Sequence, residues 1–373
     1  MHDWVNQIHV GHALEILKRM PDEFVHCIIT SPPYWSLRKY DIPDLIWDEN
    51  GKCEHEWGNQ LKIKAGKGNL SYGDSSVRWQ NPIRDGEKTL DTHHDVVHGQ
   101  FCLLCSVWFG QLGLEPTVDL YLKHLLQIMD ECKRVLRDDG TMWVDLGDSY
   151  SGSNGVGFTE TKWPSLYQGE SVRKQTGRVD SVPAKSLCLI PERFAIEMVN
   201  RDWILRNKIV WAKPNCMPAS VKDRFTVDWE PLFFFVKSRK YWFEQQYEPN
   251  KNPLDDIRRV TKAKNYNMKK DFNVSRINFV ENYNPGPGRN RRSVWTIPTQ
   301  PYPESHFATF PEDLVEPMIR AGCPKGGIVL DPFIGSGTVA KVAIRLRRNW
   351  IGIDLGYEPL VKERIASTQI EAF

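Results

Sequence analysis

Apolar residues along this chain fall into short continuous runs and longer helical stripes, separated by two polar tracts. The first run, Gln7 to Val10, has strand length and ends at Gly11. Leu14, Ile16 and Leu17 then share one side of a helix predicted from about Ala13 to Met20. Phe24 to Ile29 is nearly unbroken apolar sequence, the pattern of a strand covered on both faces, as in a parallel sheet between helices. From about Asp41 to Gln111 the pattern dissolves into Gly, Asn, Asp and Lys and predicts an irregular insertion or lid. Order returns with Leu122, Leu125, Leu126, Met129 and Val135 at helical spacing, a helix over Val118 to Leu136 that Asp138-Asp139-Gly140 stops. Strands follow at Thr141 to Leu146, Trp203 to Trp211 and Pro231 to Val236. The last eighty or so residues alternate: helix Pro311 to Ile319, strand Ile328 to Leu330, a glycine turn, helix Thr338 to Leu346, strand Trp350 to Ile353. Strand, helix, strand in this rhythm predicts an α/β fold.

Composition narrows the class. At 373 residues, 40% hydrophobic and 26% charged, the chain is a globular protein with room for about two domains. Its longest apolar runs, such as Leu232 to Val236, fall far short of the roughly 18 residues that would span a bilayer. No basic-then-apolar signal segment opens it, and eight scattered cysteines are too sparse for a disulfide scaffold, so a cytoplasmic location is expected. The net charge of +2 hides an asymmetry. Lys237 to Arg292 holds 14 basic and 6 acidic residues, a local +8, which leaves −6 for the remainder. Clustered cations of this kind suit phosphate contact, because each neutralised phosphate releases condensed counterions.

Two motifs carry chemistry. Asp331-Pro332-Phe333-Ile334-Gly335-Ser336-Gly337-Thr338 follows a strand and opens a helix, and Asp354 ends the next strand. That is the place where open α/β sheets bind nucleosides, with an acidic side chain about 20 residues on to take ribose hydroxyls. No Gly-Lys-Ser/Thr phosphate loop is present, which argues against a nucleoside triphosphate. Thr30-Ser31-Pro32-Pro33-Tyr34-Trp35 leaves the strand that ends at Ile29. Two prolines fix φ and remove two amide donors, so neighbouring carbonyls are expected to point outward unpaired. Ser31 and the Pro32 carbonyl could grip the amino group of a planar heterocycle while Tyr34, with Trp35 as a second ring, stacks on its face.

Ser-Pro-Pro-Tyr followed at a distance by Asp-Pro-Phe-x-Gly-Ser-Gly-Thr resembles the amino-methylating DNA methyltransferases of the β arrangement, in which the catalytic motif precedes the target-recognition region and the cofactor motif. The resemblance extends to Lys213-Pro214-Asn215, Ser220, Asp223-Arg224, Phe233 to Lys237 and Tyr241, and to Ser305 to Pro311. It implies one doubly wound, mostly parallel seven-stranded Rossmann-like sheet, circularly permuted, with the strands above in family order 3, 4, 5, 6, 7, 1, 2. It also implies a division of the chain: 1–40 as the first part of the catalytic domain, 41–112 as an insertion, 113–244 as more catalytic domain, 245–292 as target recognition and 293–373 as the cofactor-binding part. S-adenosylmethionine would be the cofactor, contacted by Thr30, His306, Phe310, Asp331, Phe333, Gly335, Ser336, Gly337, Thr338 and Asp354. Ser31, Pro32, Pro33 and Tyr34 would act on a base flipped out of double-stranded DNA. Arg258, Arg259, Arg276, Arg289, Arg291 and Arg292 would meet that DNA. The family often has Asp after the glycine that ends strand 3; this chain has His12.

The resemblance implies cytosine N4 as the target, from Ser rather than Asp at the head of the motif, with adenine N6 as the alternative. The resemblance also implies a restriction-modification role, in which a cognate endonuclease would be the partner, or a phage or host DNA-marking role, and it leaves the oligomeric state, monomer or homodimer, open. Methylation at cytosine carbon 5 would need a Pro-Cys nucleophile, and the chain has no such dipeptide. A catalytically silent nucleic-acid-binding module and an RNA methyltransferase are the other readings. Inside the insertion, Cys53-x-His55 and Cys102-x-x-Cys105 are two close pairs of soft ligands, suited to a structural zinc, with His93, His94 and His98 nearby as competing ligands.

Overall fold

The computed structural model describes residues 3–35, 42–49, 51–63, 96–151, 182–183, 185–249, 288–300, 310–366 and 368. Its strands are β1 (Gln7–Val10), β2 (Val25–Thr30), β3 (Leu45–Trp47), β4 (Leu61–Ile63), β5 (Val96–Phe101), β6 (Trp108–Gly110), β7 (Leu136–Asp145), β8 (Ile204–Ala212), β9 (Trp229–Val236), β10 (Tyr247–Glu248), β11 (Arg289–Asn290), β12 (Val294–Thr296), β13 (Ile328–Asp331) and β14 (Asn349–Asp354). The helices are α1 (Ala13–Arg19), α2 (Val118–Val135), α3 (Ile190–Asn200), α4 (Glu312–Gly322), α5 (Thr338–Arg345) and α6 (Glu358–Ala366). Among the described residues no helix is long and apolar enough to cross a membrane.

The main sheet runs β1-β14-β13-β2-β7-β9-β8-β12. Its first seven strands are the seven that the sequence predicts, but the sheet has eight among the described residues: β12 adds a parallel edge strand to β8, where seven were expected. Only β9 runs against its neighbours, β7 and β8. The last two strands, β13 and β14, fill the gap between β1 and β2, so the ends of β13 and β2 lie side by side although they are far apart in sequence.

Strand alternation feeds two cores. Ile28, Val144, Phe233 and Phe235 face one side with Leu17, Leu125, Met129, Phe194 and Met198 from α1, α2 and α3. Cys27, Ile29, Trp143, Leu232, Phe234 and Val236 face the other, against Leu314, Met318, Val339 and Val342 of α4 and α5. Both faces of the central strands are therefore covered, which is why their sequence is continuously apolar. The Asp138-Asp139-Gly140 stop falls within β7: Val25 pairs with Leu136 but Cys27 with Thr141, so the intervening residues bulge out of the ladder. The insertion is more ordered than its composition predicts. β3, β6, β5 and β4 form a second, antiparallel sheet of four short strands.

His12 has a clear role in place of the expected aspartate. It is the N-cap of α1, its Nδ1 accepting from the Leu14 amide at 3.1 Å, and its ring lies edge-on to Trp47. Only a neutral imidazole can accept there. Burial pushes its pKa down from 6.5 to about 4, helped by Lys18 and His124 and opposed by Glu15. Because the folded value lies below the unfolded one, the unfolded state takes up the proton first, and this stability is present above pH 6.5 and lost as pH falls towards 4. His12→Asn keeps a capping acceptor without the titration. Thermal denaturation across that window should show a shallower decline for this variant, the difference reaching at most about 3 kcal/mol. Parallel curves would refute the assignment.

Candidate functional site

The two chemistry-bearing motifs meet at the carboxyl ends of β2 and β13. Thr30 Oγ1 donates to Asp331 Oδ1 at 2.9 Å, a buried hydrogen bond between residues 301 positions apart. Asp331 Oδ1 also accepts from the Phe333 amide at 3.0 Å, which starts the glycine turn. Burial, with the Asp354 charge nearby, raises the Asp331 carboxyl to about 7 against the pull of those two donors.

Within the turn, Gly335 and Gly337 both have left-handed φ, 48° and 81°. A Cβ on Gly337 would stand 2.7 Å from Val361 Cγ1, so α5 can dock on α6 only with glycine there. A Cβ on Gly335 would meet nothing nearer than 3.8 Å, so the backbone there is open to a ligand. Asp354 accepts from Gly335 N on Oδ2 (3.0 Å) and from Gly356 N (2.9 Å) and Tyr357 N (3.1 Å) on Oδ1. Burial raises its pKa and these amides lower it. These amides anchor the carboxylate at the end of β14, beside the glycine turn. The Thr338 hydroxyl at the start of α5 is buried without a hydrogen-bond partner among the described residues, and the Ser336 hydroxyl accepts from Arg364 at 2.6 Å. This open turn, with an anchored carboxylate beside it and an orphaned buried hydroxyl, fits an adenosine-type cofactor. Phe310, at the start of the segment leading into α4, is half-buried; His306 lies outside the described residues.

On the other flank, the Ser-Pro-Pro-Tyr loop is braced from behind. The Pro33 carbonyl accepts from Tyr121 Oη at 2.8 Å, so it is not the free acceptor its position beside two prolines predicts. The Pro32 carbonyl takes no hydrogen bond from a described residue and stays available. Gly113 packs against the Tyr34 and Pro33 carbonyls, where a Cβ would stand 3.0 Å from Tyr34 O. Trp35 is buried with Nε1 bonded to the Glu115 carbonyl at 2.8 Å. It is a core residue, and the expectation that it stacks on a ligand is corrected.

Tyr34 is pinned too. Its ring packs against Gly147, where a Cβ would stand 2.4 Å from Tyr34 Cε2. Its hydroxyl is 3.2 Å from Asp145 Oδ2 and 3.1 Å from Glu230 Oε2. Burial, then the charges of Asp145 and Glu230, push the phenol well above its ordinary value. Burial and the Glu230 charge likewise hold the Asp145 carboxyl up, against the Lys213 ammonium. Lys213 pairs with Glu230 and sits 4.2 Å over the Trp211 ring. Asp145 ends β7, Glu230 opens the antiparallel β9 and Lys213 follows β8, so all three gather at one edge of the sheet. None was predicted as a site residue. A polar residue at the end of an apolar strand was the available signal for Asp145.

The cysteine cluster does assemble: the donor atoms of Cys53, His55, Cys102 and Cys105 all lie within 4.8 Å of one another. The expected DNA-contacting arginines divide. Arg258, Arg259 and Arg276 lie outside the described residues. Arg289 and Arg292 both pair with Glu248 across β10 and β11 at 2.7 Å, and Arg291 stacks 4.6 Å over Trp295.

Comparison with known proteins agrees with this geometry. The chain is 34% identical over 349 residues to "Type II methyltransferase M.Cfr9I" of Citrobacter freundii, covering 93% of this chain and 83% of that protein. It is 33% identical to "Type II methyltransferase M.XycI" of Xanthomonas campestris pv. cyanopsidis, covering 95% and 86%. The solved PvuII DNA methyltransferase (cytosine-N4-specific) shares the fold with a TM-score of 0.52 at 17% identity, over 98% of this chain and 87% of that one. A family model described as DNA methylase, of the N6/N4 class, matches residues 25–360, and the chain belongs to that family.

Proposed function

We propose that the chain methylates the exocyclic amine of a base flipped out of double-stranded DNA, with cytosine N4 as the target and S-adenosylmethionine as the donor. The observation that supports this reading is the Thr30–Asp331 hydrogen bond, which joins the residue before Ser31 and Pro32 to the residue that opens the glycine turn. The cofactor, when bound, supplies a methyl group already activated by its sulfonium. Gly335, Asp354 and the Asp331 turn would hold it, with the Asp354 carboxylate as the acceptor for ribose hydroxyls.

The chain's own task is to present the nucleophile. An exocyclic amine is weak because its lone pair is delocalised into the ring. Ser31 Oγ and the Pro32 carbonyl accept its two hydrogens, favour a pyramidal nitrogen and stabilise the positive charge that develops there, and after transfer the methylated nitrogen gives one of those protons up to solvent. The loop needs rigidity for this, and Tyr121, Gly113 and Gly147 supply it. Flipping costs a few kcal/mol, which stacking on the fixed Tyr34 ring offsets in part. No step requires a nucleophilic side chain of the protein.

Ser31 supports cytosine N4 over adenine N6, and the type II relatives support a restriction-modification role with a cognate endonuclease. Residues 245–292, basic and placed between the loop and the glycine turn in sequence, would supply DNA contacts. Nucleoside mass spectrometry of duplex DNA treated with the protein and labelled donor is expected to show N4-methylcytosine. Label in N6-methyladenine would move the target to the alternative base, and label only in RNA would overturn the reading.

A further inference from the structure

We propose that Cys53, His55, Cys102 and Cys105 hold one structural zinc ion, and that this ion fixes the insertion as the brace behind the Ser31–Tyr34 loop. The distances fit tetrahedral coordination. Zinc–sulfur bonds of about 2.3 Å place two sulfurs of a tetrahedron about 3.8 Å apart, and a sulfur and an imidazole nitrogen about 3.5 Å apart. Cys53 Sγ lies 3.8 Å from Cys102 Sγ, and Cys105 Sγ lies 3.4 Å from His55 Nδ1. A disulfide would need the sulfurs near 2.05 Å, and it would leave the other two ligands without a purpose. Three sulfurs and one imidazole select zinc over the hard, oxygen-seeking cations.

The backbone is shaped for this arrangement. Cys102 to Ser106 turns tightly between β5 and β6, with Ser106 N bonded to Cys102 O at 2.9 Å, Cys102 N to Val107 O at 3.0 Å and Ser106 in the left-handed region. The Cys53–His55 arm is held alongside by Leu103 N to Glu56 O (2.7 Å) and Gly58 N to Phe101 O (2.9 Å). His55 Nδ1 faces the cluster, while Nε2 is directed at Glu49, whose Oε1 lies 3.7 Å away. Nε2 makes no hydrogen bond to a described residue, and Glu49 stands within a small movement of the carboxylate partner that a ligating imidazole's second nitrogen takes. On binding, the three thiols release their protons to solvent and His55 binds in its neutral form.

The ion would matter because the strands of the small sheet are short, and Trp47, Leu61, Phe101 and Trp108 pack into the main core rather than at the end that carries the ligands. β3 and β6 are only three residues long, and the chain leaving β6 provides Gly113 and Glu115 behind the loop. Glu115 accepts the Gly113 amide at 2.7 Å and approaches His124 Nδ1 at 2.9 Å, and its carbonyl accepts from Trp35. Cys105 is thus eight residues from the glycine that touches the Tyr34 carbonyl.

Metal analysis of untagged protein purified without chelator is expected to find about one zinc per chain, and cobalt in its place should show thiolate charge-transfer bands and tetrahedral d–d bands. Cys53→Ser and Cys105→Ser should lose the metal, and Cys216→Ser, outside the cluster, should keep it. If the cluster variants fail to fold, the wild-type stoichiometry and cobalt spectrum still decide. Zinc near zero, a Cys53–Cys102 disulfide, or metal retained in a folded cluster variant would each overturn the site. Hydrogen exchange tests the brace independently of any activity. Peptides spanning 108–115 should exchange at least about tenfold faster once zinc is stripped, with those of β13 and α5 unchanged. Equal exchange in 108–115 would refute the brace.

Discussion

Ser31→Ala is expected to reduce single-turnover methyl transfer by roughly 10²- to 10³-fold, the loss typical of removing one preorganised polar partner of a developing charge. The prediction depends on the loop keeping its shape without the hydroxyl. The Pro33 carbonyl stays bonded to Tyr121, the Tyr34 hydroxyl stays between Asp145 and Glu230, and Gly113 and Gly147 remain packed against the loop. Ser31 touches that frame only at Tyr34, whose hydroxyl keeps Asp145 and Glu230 as partners when the serine hydroxyl is removed. Cofactor affinity should therefore stay within about twofold of the parent, since the glycine turn is untouched, and thermal stability should move by no more than about 0.5 kcal/mol. A transfer rate equal to the parent's, measured at saturating cofactor and DNA, would remove Ser31 from the reaction. A fall in rate accompanied by an equal fall in cofactor affinity would instead place the hydroxyl in cofactor binding.

The main sheet was legible because its central strands are covered on both faces and announce themselves as unbroken apolar runs, and the glycine turn was legible because left-handed φ admits few residues. What escaped shares one cause: partners distant in sequence. α3 starts at Leu189-Ile190-Pro191 with no capping side chain of its own. Its first amides are satisfied by Asp148, 41 and 42 residues earlier. α6 buries only Val361, so it has no apolar stripe to read. The four-stranded sheet of the insertion has strands too short for alternation to register, and the metal-ligand spacing was the one sign of order there. At the site, Ser31, Tyr34 and Asp354 sit in local motifs. Asp145, Glu230 and Lys213 acquire meaning only when β7, β8 and β9 bring them to Tyr34. The reversal of β9 puts the start of that strand at the same edge as the end of β7, and a linear reading does not reveal that edge.

Asp354→Ala should weaken cofactor binding by at least about 100-fold, because the side chain holds the turn as well as the ligand. Its removal strips the acceptor from the Gly335, Gly356 and Tyr357 amides. Each lost partner costs on the order of 1 kcal/mol where water can replace it and up to about 3 kcal/mol where it cannot. The Gly335 amide matters most, since it sets the left-handed residue at the open face of the turn. Asp354→Asn separates the two roles. One amide oxygen can still serve part of the turn, but the added NH2 faces donors and the full complement of acceptors is gone. Its affinity should fall between parent and alanine variant, and its loss of thermal stability should be smaller than that of Asp354→Ala. Calorimetric titration with S-adenosylmethionine and with its demethylated product would measure both. Neither ligand places a demand on Ser31, so the Ser31→Ala protein is the control that should bind like the parent. If Asp354→Ala bound the cofactor as tightly as the parent, the β14 end of the turn would have no part in holding it, and the site would have to be rebuilt around Asp331 alone.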